Sequence, residues 1–374
     1  MSHEASPLWP PGQQISNAKL LLLGASVVSM VCFSVGLIYF NSYMMKPDHF
    51  PHAVPLMICH MGMSAVFSAL LYLVKPSLFS SLTDPDKKVV VNADLLLRGC
   101  LPIALVFTIG LVLGNMAYSY LGVAFIQMLK ETNIVWVYLI AVAVGLERLT
   151  FQAVEVIVLA TLALTMTVHG ESHFTLVGFL IQSAAVFFEA ARINLQTIML
   201  SKKGKLDPLS YVLLVSPLCC LLLLTALFGI HASGAQVHGL TLPAFAKLQE
   251  WAPLLFLSSC VAFGLNVSIA VVITKVSSMG YVFCQLTKDV CAVLIGVTFA
   301  GEVVTVLQYV AFTLQIFAAY AWALLKMFPE RMSDGVMVGI VRLHLGLGES
   351  LACQSDLETA KSVEKKAKPL QKPT

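Results

Sequence analysis

The chain has 374 residues, 58% of them hydrophobic and only 11% charged, with a mean hydropathy of +0.85. So large an apolar excess excludes an ordinary soluble domain and points to a polytopic membrane protein. The formal net charge of +3, with no basic stripe interleaved with aromatics, speaks against nucleic acid and leaves the lipid bilayer as the first partner.

Residues 1–17 carry Glu4 and no Lys or Arg, unlike the basic start of a signal peptide or an Arg-rich transit peptide. Residues 1–18 therefore read as a cytosolic tail, and the first apolar segment as a retained span. Apolar runs long enough for a ~30 Å core, about 20 residues each, follow at 19–41, 53–74, 96–118, 121–144, 151–169, 174–200, 208–230, 251–273, 279–300 and 304–327. The third and fourth are joined by a very short link, so nine spans is the main alternative. His49, His52 and His60 gather around the second run without an acidic or thiol companion, which reads as loop and packing rather than metal. All cysteines but Cys353 lie in apolar segments without C-x-x-C spacing, as small buried hydrophobes do.

Charge placement orients the spans. With the N-terminus in the cytosol, the inner loops hold Lys75, Lys87, Lys88, Arg98, Arg148, Lys202, Lys203, Lys205 and Lys275, and the outer loops only Lys46 and Lys247. That asymmetry favours an even number of spans with both termini cytosolic. The expected fold is all-α and integral to the membrane: ten transmembrane helices as two inverted five-helix repeats, 19–169 and 174–327. Beyond residue 328 the apolar pattern decays into a partly disordered, Lys-rich cytosolic tail, 328–374.

One polar signature occurs twice in these apolar surroundings. Residues 123–131, V-A-F-I-Q-M-L-K-E, and 282–289, V-F-C-Q-L-T-K-D, align Gln127 with Gln285, Lys130 with Lys288 and Glu131 with Asp289. Each lysine lies about nine residues into its span, roughly 14 Å deep at 1.5 Å per residue, and the two spans are entered from opposite faces. A cation at that depth is costly, so it marks a functional site. An ammonium with three donors suits a phosphate, so a small anionic substrate is expected.

Glu131 and Asp289 can partly neutralise the lysines or fasten neighbouring helices. Glu189 and Arg192, at i,i+3 in the sixth span, can pair with each other or meet substrate. Gln127 and Gln285 share the lysine face and can bond a base or sugar, or bridge helices. Asn115 and Asn266 read as interhelical packing. The glutamates of G-L-E at 145–147 and G-E at 301–302 read as structural residues at the interface.

With these residues in hand, the chain resembles the triose-phosphate/nucleotide-sugar transporter family of the drug/metabolite transporter superfamily over about residues 19–327. The fourth span, V-A-F-I-Q-M-L-K, is similar to that family's pattern with the substrate lysine at Lys130. G-F-L-I-Q-S-A-A-V-F-F-E-A-A-R-I-N-L-Q at 178–196 and L-D-P-L-S-Y-V-L-L-V-S-P at 206–217 resemble its sixth and seventh spans. Lys288-Asp289 resembles the family's lysine-aspartate subgroup. Plastid phosphate translocators carry lysine-arginine there, and Asp289 departs from them.

The resemblance implies a secondary-active antiporter exchanging a nucleotide-sugar for a nucleoside monophosphate across an endomembrane, the Golgi first. Substrate contacts are expected from Lys130, Lys288, Gln127, Gln285, Asp289, Glu131 and Arg192. Sugar-phosphate/phosphate exchange is the runner-up, and a non-transporting receptor or scaffold a third reading. No G-x-x-x-x-G-K-[ST] is present, which removes ATP-driven pumping, and no cofactor is expected. An enzyme is not expected, for want of a nucleophile with a base. A homodimer stays open.

Overall fold

The structure is a computed structural model that describes residues 17–345 apart from residue 87 and the stretches 203–205, 235–239 and 276–277. The expected N-terminal tail and the Lys-rich end of the chain lie outside these residues. The described chain is all-helical. It comprises α1 (Asn17–Met44), α2 (Ala53–Val74), the short α3 (Ser80–Thr83), α4 (Leu101–Ala117), α5 (Val123–Lys130), α6 (Asn133–Ala143) and α7 (Phe151–Gly170). Then follow α8 (Leu176–Lys202), α9 (Pro208–Ser233), α10 (Phe245–Lys275), α11 (Ser278–Thr298), α12 (Val306–Met327) and α13 (Val336–His344).

Among the described residues nine helices are long and apolar enough to cross a membrane. Leu95–Ala117 and Val123–Ala143 are separate spans, so the short link expected between the third and fourth is a true turn. The first of them begins with a π-helical turn, Leu95–Cys100, that runs into α4. The second is broken into α5 and α6. Outside these nine, α11 is a further helix of 21 residues that carries Lys288 and Asp289.

These helices are apolar on all sides, as lipid-exposed helices must be once every backbone group is bonded within the helix. Large apolar side chains accordingly face outward, among them Val74, Phe151, Phe228 and Phe245. Lipid is as apolar as leucine, so close approach rather than water exclusion holds the bundle together. Gly110 and Gly114 of α4, one turn apart, meet α8 at Phe188 and Ala185. A side-chain carbon at Gly110 would stand 3.4 Å from the Phe188 Cβ. The α7–α12 crossing uses Ala160, Ala318 and Ala321 in the same way. The largest core cluster joins α2, α4 and α9 through Met57, Ala104, Val215 and Cys219.

The main helix pairs are α4 with α8, α7 with α12, α2 with α9, α1 with α10, α6 with α8, α2 with α10, α4 with α9 and α5 with α11. Helix α13 lies in the stretch expected to be tail. It packs on α7 and α12 through Val336 and Ile340, its first N–H donates to Glu155 Oε2 at 2.7 Å, and Met337, Val338 and Val341 stay exposed.

Candidate substrate site

Residues Val123, Ala124, Phe125, Ile126, Gln127, Met128 and Leu129 of α5 are all buried, and only its last residue, Lys130, is half-exposed. The helix breaks immediately after it. The Thr132 N–H bonds the Leu129 carbonyl three residues back at 3.2 Å, its hydroxyl donates to the same carbonyl at 2.7 Å, and α6 starts at Asn133. Spans interrupted at depth are where transporters expose polar groups to substrate. Helix α11 runs through Lys288 without a break.

Lys288 and Asp289 form a close pair, Nζ to Oδ1 at 2.7 Å, with side-chain exposures of 13% and 10%. Glu131, the residue that follows α5, and Glu189 of α8 lie within electrostatic reach of the same ammonium. The Glu131 carboxyl lies beside that of Asp289, so the two acids of the repeated signature meet where α5 packs on α11. Lys130, by contrast, makes no ion pair or hydrogen bond among the described residues.

Arg192, one turn beyond Glu189 on α8, lies 3.9 Å from the Glu189 carboxylate, a long contact rather than a closed pair. It donates to Gln196 Oε1 at 3.1 Å, and its guanidinium sits 4.9 Å from the centre of the Phe107 ring. Its Nε has no partner among the described residues, and Tyr211 of α9 approaches it. With Lys288 held by Asp289, Lys130 and Arg192 are the cations that keep donors to spare.

Gln127 is fully buried with both amide atoms unpartnered among the described residues, and Gln285 is half-buried. Asn115 reaches the Met57 sulfur across to α2 and the Leu111 carbonyl, and Asn266 reaches Ser64 of α2, both as packing residues would. His60 bonds Ser258 at 2.7 Å between α2 and α10. Among the described residues no three His, Cys, Asp or Glu side chains converge as a metal-binding group. A cavity of about 310 Å³ between α1 and α10, lined by Ser29, Cys32, Phe33 and Val261, contains none of the charged residues.

The sequence reading missed Gln182, which is as buried and unpartnered as Gln127. A signal was present: Gln182, Glu189 and Arg192 stand at i, i+7 and i+10, one helical face. Phe107 and Tyr211 left no such signal, because only packing against α8 brings them to Arg192.

The chain is 28% identical over 299 residues to a probable sugar phosphate/phosphate translocator of Arabidopsis thaliana, covering 78% of this chain and 84% of the relative. A second Arabidopsis thaliana protein of that description is 31% identical over 209 residues, covering 55% of this chain and 57% of its own length. UDP-uronic acid transporter 1 of the same plant is 24% identical over 310 residues, covering 82% of this chain and 97% of its own. These homologues are consistent with the triose-phosphate/nucleotide-sugar transporter family. No family model matches the chain.

Proposed function

We propose that the chain is a secondary-active antiporter that exchanges a nucleotide-sugar for a nucleoside monophosphate, in a Golgi membrane, with no ATP or bound cofactor. The observation that carries this reading is the polar cluster at the break between α5 and α6, where Lys288 is paired with Asp289 beside Glu131, and Arg192 lies 3.9 Å from Glu189, with Lys130 as the last residue of α5. Lys130 and Arg192 would take the phosphates while Lys288, held by Asp289, lends charge from behind. Gln127 favours a nucleotide: a buried amide with a free donor and a free acceptor matches the edge of a base or the hydroxyls of a ribose.

We further propose ten spans in two inverted repeats, each span of the first half matched by the span five places later. The helix pairs support this. Matching α1 with α8, α4 with α10 and α5–α6 with α11 converts the α4–α8 pair into α10–α1 and α6–α8 into α11–α1, and all four pairs occur. Two such halves rocking about the site would give alternating access.

A second reading, exchange of a sugar phosphate for phosphate, is favoured by the names of the two translocators above. Proteoliposomes separate the two. Vesicles preloaded with nucleoside monophosphates should accelerate uptake of one nucleotide-sugar, and phosphate-loaded vesicles should not. Acceleration only by phosphate establishes the second reading, and none by either overturns both.

A further inference from the structure

Both carboxylate oxygens of Glu302 are spent on the first turn of α5. Oε1 accepts from the Val123 N–H and Oε2 from the Ala124 N–H, each at 2.7 Å. The fit is tight. A side-chain carbon at Gly122 would come within 3.1 Å of Oε2, and one at Gly296 within 2.8 Å of the Tyr39 hydroxyl. That hydroxyl donates to the Ala292 carbonyl of α11 at 2.5 Å, so α1, α5 and α11 are clasped at one end of the bundle.

Glu302 has a counterpart. Residues 302–306, E-V-V-T-V, repeat the pattern of 147–151, E-R-L-T-F. A left-handed glycine precedes each glutamate, Gly301 at φ +69° immediately before Glu302 and Gly145 at φ +74° two residues before Glu147. Each threonine caps the next helix, Thr305 accepting from the Gln308 N–H and Thr150 from the Ala153 N–H, both at 3.3 Å. Yet Glu147 caps no helix. It pairs with Lys326 at 2.6 Å, both side chains about 40% exposed.

We infer that Glu302 is the positioning residue that latches one gate shut, and that Glu147 is its counterpart, leaving Lys326 to cap the first turn of α11 when the opposite gate closes. The inference rests on the antiporter reading. A carboxylate on the N–H groups of a helix start is a strong contact that can be made or released as a unit. Since α5 ends on Lys130, the latch also sets where that ammonium stands. In the proposed topology the Glu302 end faces the lumen.

The test uses full-length protein in proteoliposomes, with spin labels at Leu176 and Phe299, both exposed at the Glu302 end. Their distance distribution is read by electron–electron double resonance without substrate. Glu302→Gln should raise the long-distance population about tenfold relative to the short one, the scale of two charge-assisted bonds weakened together. Glu147→Gln should shift the ratio the opposite way. Glu302→Asp, which keeps the charge one methylene short, should fall between wild type and Glu302→Gln. Shifts in the same direction, or none, overturn the latch. If Glu302→Gln fails to fold, Glu147→Gln still decides, since Glu147 holds no helix end here. Opposite shifts in a protein that exchanges nothing would keep the latch and remove the antiporter reading.

Discussion

The two copies of the repeated signature share residue types but not surroundings. In α11 the helix continues through Lys288, and its ammonium is closed against Asp289 at 2.7 Å. In α5 the helix ends on Lys130, and the acid that follows, Glu131, turns toward Lys288 and Asp289 instead of back to its neighbour. One lysine is thus part of the scaffold's charge balance, and the other is a cation with nothing in the described fold to satisfy it. A repeat keeps residue types, but the packing of α5 on α11 brings Glu131 to the Lys288–Asp289 pair and gives the two lysines different work.

The largest effect expected from that difference is on Lys288. Lys288→Ala leaves two buried carboxylates facing each other, and removing one member of a buried pair costs about 3–5 kcal/mol. Yield and thermal stability should both drop sharply. Lys130→Ala should cost little stability, because no contact within the fold is lost. It should still remove most exchange, at the ~2–5 kcal/mol typical of a truncated charged contact. Equal melting temperatures for the two variants would erase the distinction. The double change Lys288→Ala with Asp289→Ala sharpens it further. Removing both partners is far less costly than removing one, so stability should largely return while exchange does not.

A smaller contrast lies at the start of the seventh span. Asp207 caps α9 by accepting from the Leu209 and Ser210 N–H groups. It also exchanges bonds with Ser81 of α3, at 2.9 Å and 2.6 Å. The matching helix α2 begins at Ala53, and its N-cap residue His52 makes no side-chain capping bond. Burial raises the Asp207 pKa, but the bonds from Ser210 and Ser81 outweigh it and hold the carboxyl below its usual value. A depressed carboxyl stabilises fully above its unfolded pKa of about 3.9 and loses that contribution as the pH falls through its folded value. Asp207→Ala should therefore cost about 1 kcal/mol near neutrality, and thermal melts in acid should show the gap to wild type closing.

The smallest stability effect is expected at Gln127. Its amide is buried without a partner, so Gln127→Leu should be neutral to within about 1 kcal/mol, or stabilising. It should nonetheless change the preference among nucleotide-sugars in competition uptake. A large loss of stability with unchanged preference would make Gln127 a packing residue.

Much of this was legible before any fold was seen. Uninterrupted apolar length located nine helices long and apolar enough to cross a membrane among the described residues, because a bilayer core sets one length for every helix that crosses it. The paired signature singled out Lys130 and Lys288 because a charge at that depth stands out against leucine and valine. The break after Lys130 was not legible, since 121–144 reads as one continuous apolar run and the bond from Thr132 to the Leu129 carbonyl is a local choice. Nor was α13, too short and too mixed in composition to register as apolar. Glu302 carried a readable sign, its repeat in Glu147, but hydropathy places both glutamates only near the membrane surface. What composition and period alone determined is a membrane-embedded helical bundle with lysines set within its apolar segments. Which carboxylate answers which cation, and which glutamate holds which helix end, was decided only by tertiary packing, because an ion pair depends on two side chains meeting across helices and hydropathy records only how deep each one lies.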